Sequence, residues 1–131
     1  MTFEHVIKII GSLFHRREPR MAHDRPAMLI FAGAALVQLA NWAYFAWLVK
    51  PQDGLLFVHY NIYFGVDLVG PWYRLYTIPA AGLVVLLVNF FLARTLHRKS
   101  PILSRLLLAI TAYAELLILL VSLLIIRQNS V

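Results

Sequence analysis

Three stretches of the chain, 27–49, 78–97 and 101–126, run almost without interruption in apolar residues. At 1.5 Å per residue, a helix of about 20 such residues crosses the hydrocarbon core of a bilayer. Pro26 and Pro79 sit where the first turns of two such helices belong, a position that tolerates proline. Lys50 and Pro51 stop the first, and the short basic link 98–100 forces the second and third to be antiparallel neighbours. Ahead of them, segment 2–17 has Phe3, Val6, Ile7, Ile10, Leu13 and Phe14 at helical spacing, with Arg16, Arg17 and Arg20 behind. This pattern predicts an amphipathic helix lying in the headgroup plane of anionic lipid, or packed on a partner protein. Between the first two long runs, Phe57 to Phe64 alternate in the strand manner, Gly65 breaks the pattern, and Val66 to Val69 can return to close a hairpin.

Composition agrees with a bilayer solvent. Hydrophobic residues make up 61% of 131 residues and charged residues only 14%, against about a quarter charged in ordinary soluble domains. So small a soluble domain could not hide that much apolar surface. The net charge of +6 lies in cations that flank apolar runs, so no nucleic-acid partner is expected. The chain has no cysteine, which removes disulfides, thiolate metal sites and a cysteine nucleophile. No cleavable leader or lipidation box is expected, and the first long run serves as a signal anchor.

Positive charge sets the orientation. The N-terminal segment carries Lys8, Arg16, Arg17, Arg20 and Arg25, and the link region carries Arg94, Arg98, Lys99 and Arg105. The middle segment has Lys50 and Arg74 against Asp53 and Asp67. The N-terminus and the link are therefore expected in the cytoplasm, and segment 50–77 and the C-terminus outside. Trp47, Trp72, Tyr73 and Tyr76 then fall at the outer interface, where aromatic rings anchor well. His5, His15, His23 and His97 are expected among solvated or headgroup-facing groups.

Glu115 is the sharpest chemical feature, because a charge costs several kcal/mol at the centre of a spanning helix. Ser104, Thr111, Glu115 and Ser122 fall within roughly 40° of one another on that helix. Gly82, Asn89 and Ala93 share a face of the second helix, and Ala34, Gln38 and Asn41 a face of the first. Gln38, Asn89 and Glu115 lie within about a turn of the midplane, and Asn41 a turn outward. Polar side chains in hydrocarbon need partners, so these stripes are expected to face each other. Two readings follow for Glu115: a proton or ion site held by Asn89 and Gln38, or a neutral acid acting as a strut that fixes helix register.

In the outer segment, His59, Asn61 and Asp67 could bear a metal or a reaction, yet two ligands do not make a site and no third is close in sequence. A hydrogen-bonded hairpin, with Arg74 pairing Asp67, is the default expectation. No nucleophile elbow, phosphate-cradling loop or metalloprotease motif occurs. No cofactor, metal or catalytic residue is expected.

The run His59-Tyr60-Asn61, then Gly65, Asp67, Gly70-Pro71-Trp72, and Pro79 opening an apolar helix, resembles the membrane domain of SdpI-like bacterial proteins. The matching positions are His59, Asn61, Gly65, Asp67 and Pro79, over about half the chain. The resemblance implies a bacterial cell-membrane protein with family links to toxin immunity and signalling. Such proteins usually continue into more spanning helices, so immunity is not carried over.

Taken together, the sequence predicts an all-α integral membrane protein. It has an amphipathic segment at 1–26, helices at 27–49, 78–97 and 101–126, an extracytoplasmic hairpin within 50–77, and a short outer tail at 127–131. The expected role is a binding or accessory protein, alone as a homo-oligomer or as a subunit of a membrane complex. A proton- or ion-coupled carrier or channel subunit centred on Glu115, or a membrane enzyme using His59 and Asp67, are the alternatives.

Overall fold

A computed structural model of the chain describes residues 20–61, 63 and 65–129, with the backbone only at 59–61 and 65–67. The amphipathic helix expected over 2–17 lies outside the described residues. A single 3₁₀ turn, Met21–His23, leads into α1, Arg25–Leu48. Asp24 caps α1: its carboxylate accepts the Ala27 N–H at 3.3 Å, and a proline occupies the first turn. This supplies one of the partners that the first turn of a helix lacks. At the other end Val49 turns to an extended conformation, and Lys50 donates from Nζ to the Ala46 carbonyl at 3.0 Å.

Strands β1, Leu56–Asn61, and β2, Gly65–Gly70, form one antiparallel pair. The turn comes earlier than the sequence suggests. Gly65 does not break the strand; it opens β2 opposite Asn61. The register pairs Phe57 with Val69, His59 with Leu68 and Tyr60 with Val66. Val58 and Asp67 are thus the extra residues of two irregularities, which disturb a strict alternation of faces.

A 3₁₀ segment, Trp72–Tyr76, runs straight into α2, Thr77–His97. After the link, α3 covers Pro101–Asn129. Ser100 caps it by accepting the Leu103 N–H at 3.4 Å. All three helices are long and apolar enough to cross a membrane. Their limits differ from the expected ones by at most two residues, except that α3 continues three residues beyond Ile126. Nothing in Arg127-Gln128-Asn129 breaks a helix; only the apolar character ends there.

Helix α3 packs along both α1 and α2, which touch each other over a shorter length. Two apolar clusters close the bundle. Met21, Ala27, Ala93 and Leu108 form one at the link end; Phe45, Val49, Leu75 and Ile126 form the other at the hairpin end. Leu56 and Val58 of β1 pack on the second cluster. Outward faces are greasy instead: Leu29, Leu36, Trp47 and Ile102 are each at least 65% exposed. A water-soluble fold places its side chains the other way round.

Candidate functional site

Polar side chains are buried along the interior of the bundle. Gln38, Asn41, His97, Ser104, Thr111, Glu115 and Ser122 are all at most 3% exposed. The stripes that helical spacing places on α1 and α3 therefore do face inward. Gly82 of α2 makes room for two of them. A methyl group at that position would sit 2.8 Å from Gln38 Oε1 and 3.1 Å from Glu115 Oε2. Both side chains thus lie over one bare patch of α2 backbone. Gln38 is anchored there by donating from Nε2 to the Pro79 carbonyl at 2.6 Å. That carbonyl lies in the first turn of α2, so the bond ties the middle of α1 to the start of α2.

The hydroxyls of α3 use nearby backbone carbonyls. Thr111 donates to Leu107 and Ser122 to Ile118, both at 2.8 Å, the habit of Ser and Thr within helices. Ser104 is different, because it donates across to the Ala93 carbonyl of α2 at 2.9 Å. In contrast, Gln38 Oε1, both side-chain polar atoms of Asn41, and both oxygens of Glu115 are buried without a partner among the described residues. Such groups are rare in native interiors and each calls for an explanation.

Asn89 does not join this cluster. It is half-buried and donates to none of these side chains. The face that α2 buries carries Pro79, Gly82, Leu86, Ala93 and His97. Asn89 is turned roughly 55° from the centre of that row.

At the link end the structure assembles a group that sequence spacing does not reveal. Arg105 Nε donates to both Asp24 oxygens, at 3.2 and 2.9 Å. His97 Nδ1 lies 3.7 Å from the same carboxylate. His97 is 2% exposed, so the expectation of a solvated histidine is corrected. It ends α2 against the residue that caps α1 and the first turn of α3. The hydrogen bond from Arg105 holds the Asp24 carboxyl below the usual carboxylate range. The one available clue in the sequence is Asp24 itself, an acid directly before Arg25-Pro26, which reads as a helix cap.

At the hairpin end, the Tyr76 hydroxyl donates to the Phe45 and Val49 carbonyls, each at 3.3 Å. Its ring meets those of Trp42, Phe45 and Trp72. An open groove of about 600 Å³ lies beside this contact, with Leu48, Leu123 and Ile126 on its walls and Lys50 and Arg127 at its rim. The second expected site is only partly described. His59 and Asn61 lie on β1 and Asp67 on β2, but their side chains are outside the description. The Arg74 side chain crosses Gly70, whose missing methyl would otherwise meet Arg74 Cδ at 2.7 Å. Among the described residues, no group of three or more His, Asp or Glu is placed to hold a metal ion.

The chain matches no family model, and comparison with curated proteins and with solved structures finds no match either.

Proposed function

We propose that this is a multi-pass integral protein of the bacterial cell membrane, with three spanning helices, the N-terminus and link in the cytoplasm, and the hairpin and C-terminus outside. One observation carries the reading. The bundle exposes its large apolar side chains and buries its polar ones, an arrangement that costs free energy in water and suits lipid. Cations around the link favour the cytoplasmic side for it. In this orientation the Trp72 and Tyr76 rings lie at the outer interface.

Within that frame the protein acts as a binding or accessory subunit, through its outer segment or through lateral contacts with a larger complex. The groove at the hairpin end supports a contact with lipid: its lining combines two cations with apolar side chains, the chemistry that suits an anionic headgroup and its chain. The resemblance of the hairpin region to SdpI-like membrane domains points to the same cellular setting.

Four measurements test the proposal. Membranes washed with alkaline carbonate should retain the protein, and detergent should release it. Reporter fusions should place Lys99 inside and the hairpin outside. A chain that stays monodisperse in plain buffer removes the membrane reading. A pull-down from mild detergent that returns a lone monomer removes the accessory role.

A further inference from the structure

We propose that Glu115 is a proton-exchanging group, reached along a file of buried polar side chains inside the bundle. The inference rests on the membrane reading and goes beyond it, because it assigns the polar interior a task.

The file follows from the packing. Its link end is His97 with Asp24 and Arg105. Ser104 follows on α3, then the buried Leu108 of the apolar cluster, then Thr111 and Glu115 one turn apart, with Gln38 beside Glu115 over Gly82. Asn41 stands one turn further along α1 and Ser122 two turns further along α3, and Tyr76 meets the carbonyls of Phe45 and Val49 beyond them. Between Thr111 and Ser122 the buried residue of α3 is Glu115, and α1 buries Gln38 and Asn41.

The hydrogen bonding separates a relay from a strut. A strut earns its place by the bonds it makes across helices. Ser104 and Gln38 do this, to the Ala93 and Pro79 carbonyls. Among the described residues, Glu115 makes none with either oxygen, and Asn41 makes none with either side-chain atom. Atoms buried in this way, with Gln38 Oε1 and Glu115 Oε2 meeting over Gly82, are suited to a small exchangeable species: water or hydronium. Fixed protein partners are not what they hold. The site's charge is compatible with that. Gln38 and Asn41 of α1, Gly82 of α2, and Thr111 and Ser122 of α3 are neutral, and no residue of 27–49 or 78–93 is ionisable except Tyr44. The remaining titratable groups on the file are Asp24, His97 and Arg105 at one end and Tyr44 and Tyr76 at the other. A lone carboxyl in such surroundings can carry one proton at a time without a fixed counter-charge. In the step itself, a Glu115 oxygen takes a proton from hydronium, which leaves as water. It later returns that proton to a water molecule.

Infrared difference spectroscopy of the whole chain in lipid vesicles tests this. The wild type should show a carboxylic acid C=O band that Glu115→Gln removes. On transfer to heavy water that band should shift while the amides of the helix cores are still protonated. Thr111→Val and Asn41→Leu, which keep side-chain volume, block the file on either side of Glu115. At least one of them should slow the shift by an order of magnitude, with the helical circular dichroism unchanged. A band that outlasts core amide exchange marks a sealed strut and overturns the proposal. So does a carboxyl with no acid band at any pH, or exchange that neither blocking variant slows. Failure of the membrane reading shows separately, as protein that does not enter the vesicles at all.

Discussion

The Asp24 carboxylate and the Arg105 guanidinium meet at 2.9 Å across a chain separation of 81 residues. They join the cap of α1 to the first turn of α3, and His97 brings in the end of α2. One carboxylate therefore sits where the link ends of all three helices meet. Removing a partner leaves a nearly buried charge without its match, which is worse than never having had the pair.

The acid response follows from that contact. Asp24 titrates below its ordinary value of 3.8 because Arg105 bonds its charged form. A depressed carboxyl contributes stability above its unfolded value and loses it as pH falls through its folded one. Thermal unfolding in detergent, followed from neutral pH to about pH 2, should show the midpoint falling below the ordinary carboxyl range. Arg105→Gln should lower the midpoint at neutral pH and flatten that fall. An equal acid response in both proteins would show that Asp24 is not the group responsible.

The long helices are legible from sequence because apolar character over some 20 residues is a local property. So is the inward aim of Gln38, Asn41, Thr111 and Glu115, which follows from residue spacing and the need of polar groups for company. The pairing of Asp24, His97 and Arg105 depends on helix lengths and tilts fixed only by packing, and no periodicity encodes it. Asn89 fails for a related reason. It shares a face with Gly82 on an isolated helix, but α2 meets α3 along a row centred nearer Leu86 and Ala93. The hairpin shows both sides of this. Its β-branched and aromatic residues mark the strands, whereas Gly65 reads as a breaker until its pairing with Asn61 is known.

Gly82 owes its identity to Gln38 and Glu115. Alanine there has better helix propensity, by about 1 kcal/mol, yet its methyl would stand 2.8 Å from Gln38 Oε1. Gln38 cannot swing away freely, since its amide is held by the Pro79 carbonyl. Gly82→Ala is expected to destabilise the bundle, and Gly82→Leu to cost about 1–3 kcal/mol through overpacking. In a Gln38→Ala background, Gly82→Ala should become neutral or stabilising. A double-mutant cycle on unfolding in detergent measures the coupling; additive effects would mean the two side chains do not compete for that space.

Ser104 separates packing from hydrogen bonding between α2 and α3. It is fully buried, opposite an equally buried Ala93. Losing the bond alone, as in Ser104→Ala, should cost about 0.6 kcal/mol, the average for such contacts between membrane helices. Ser104→Leu should cost more, because it forces the two helices apart where the Ser104 hydroxyl meets the Ala93 carbonyl and draws His97 away from Asp24. Cysteines introduced at exposed positions near the link would report the separation by cross-linking efficiency. If Ser104→Leu cross-links and unfolds as the wild type does, the close approach is not a determinant of the packing.

Asn129 ties the hairpin to the end of α3 by imitating a strand. Its Oδ1 accepts the Phe57 N–H at 2.7 Å, and its Nδ2 donates to the Phe57 carbonyl at 2.9 Å. Nδ2 also donates to the Ile125 carbonyl at 2.9 Å within the helix. The side-chain amide thus satisfies both backbone groups of an edge residue that β2 leaves unpaired on that side. Each such bond is worth about 0.5–1.5 kcal/mol net, and a site this open belongs at the low end. Asn129→Ala should therefore raise the exchange rate of the Phe57 amide up to about tenfold while leaving the helices protected. Asn129→Asp keeps the acceptor but turns a carboxylate toward two carbonyl oxygens. It should release the hairpin more fully than alanine does, and increasingly so as pH rises through the carboxyl range. Hydrogen exchange read at single-residue resolution decides the matter: protection at Phe57 that survives both substitutions would mean that the hairpin is held by Leu56 and Val58 on the apolar cluster, without help from α3's last residue.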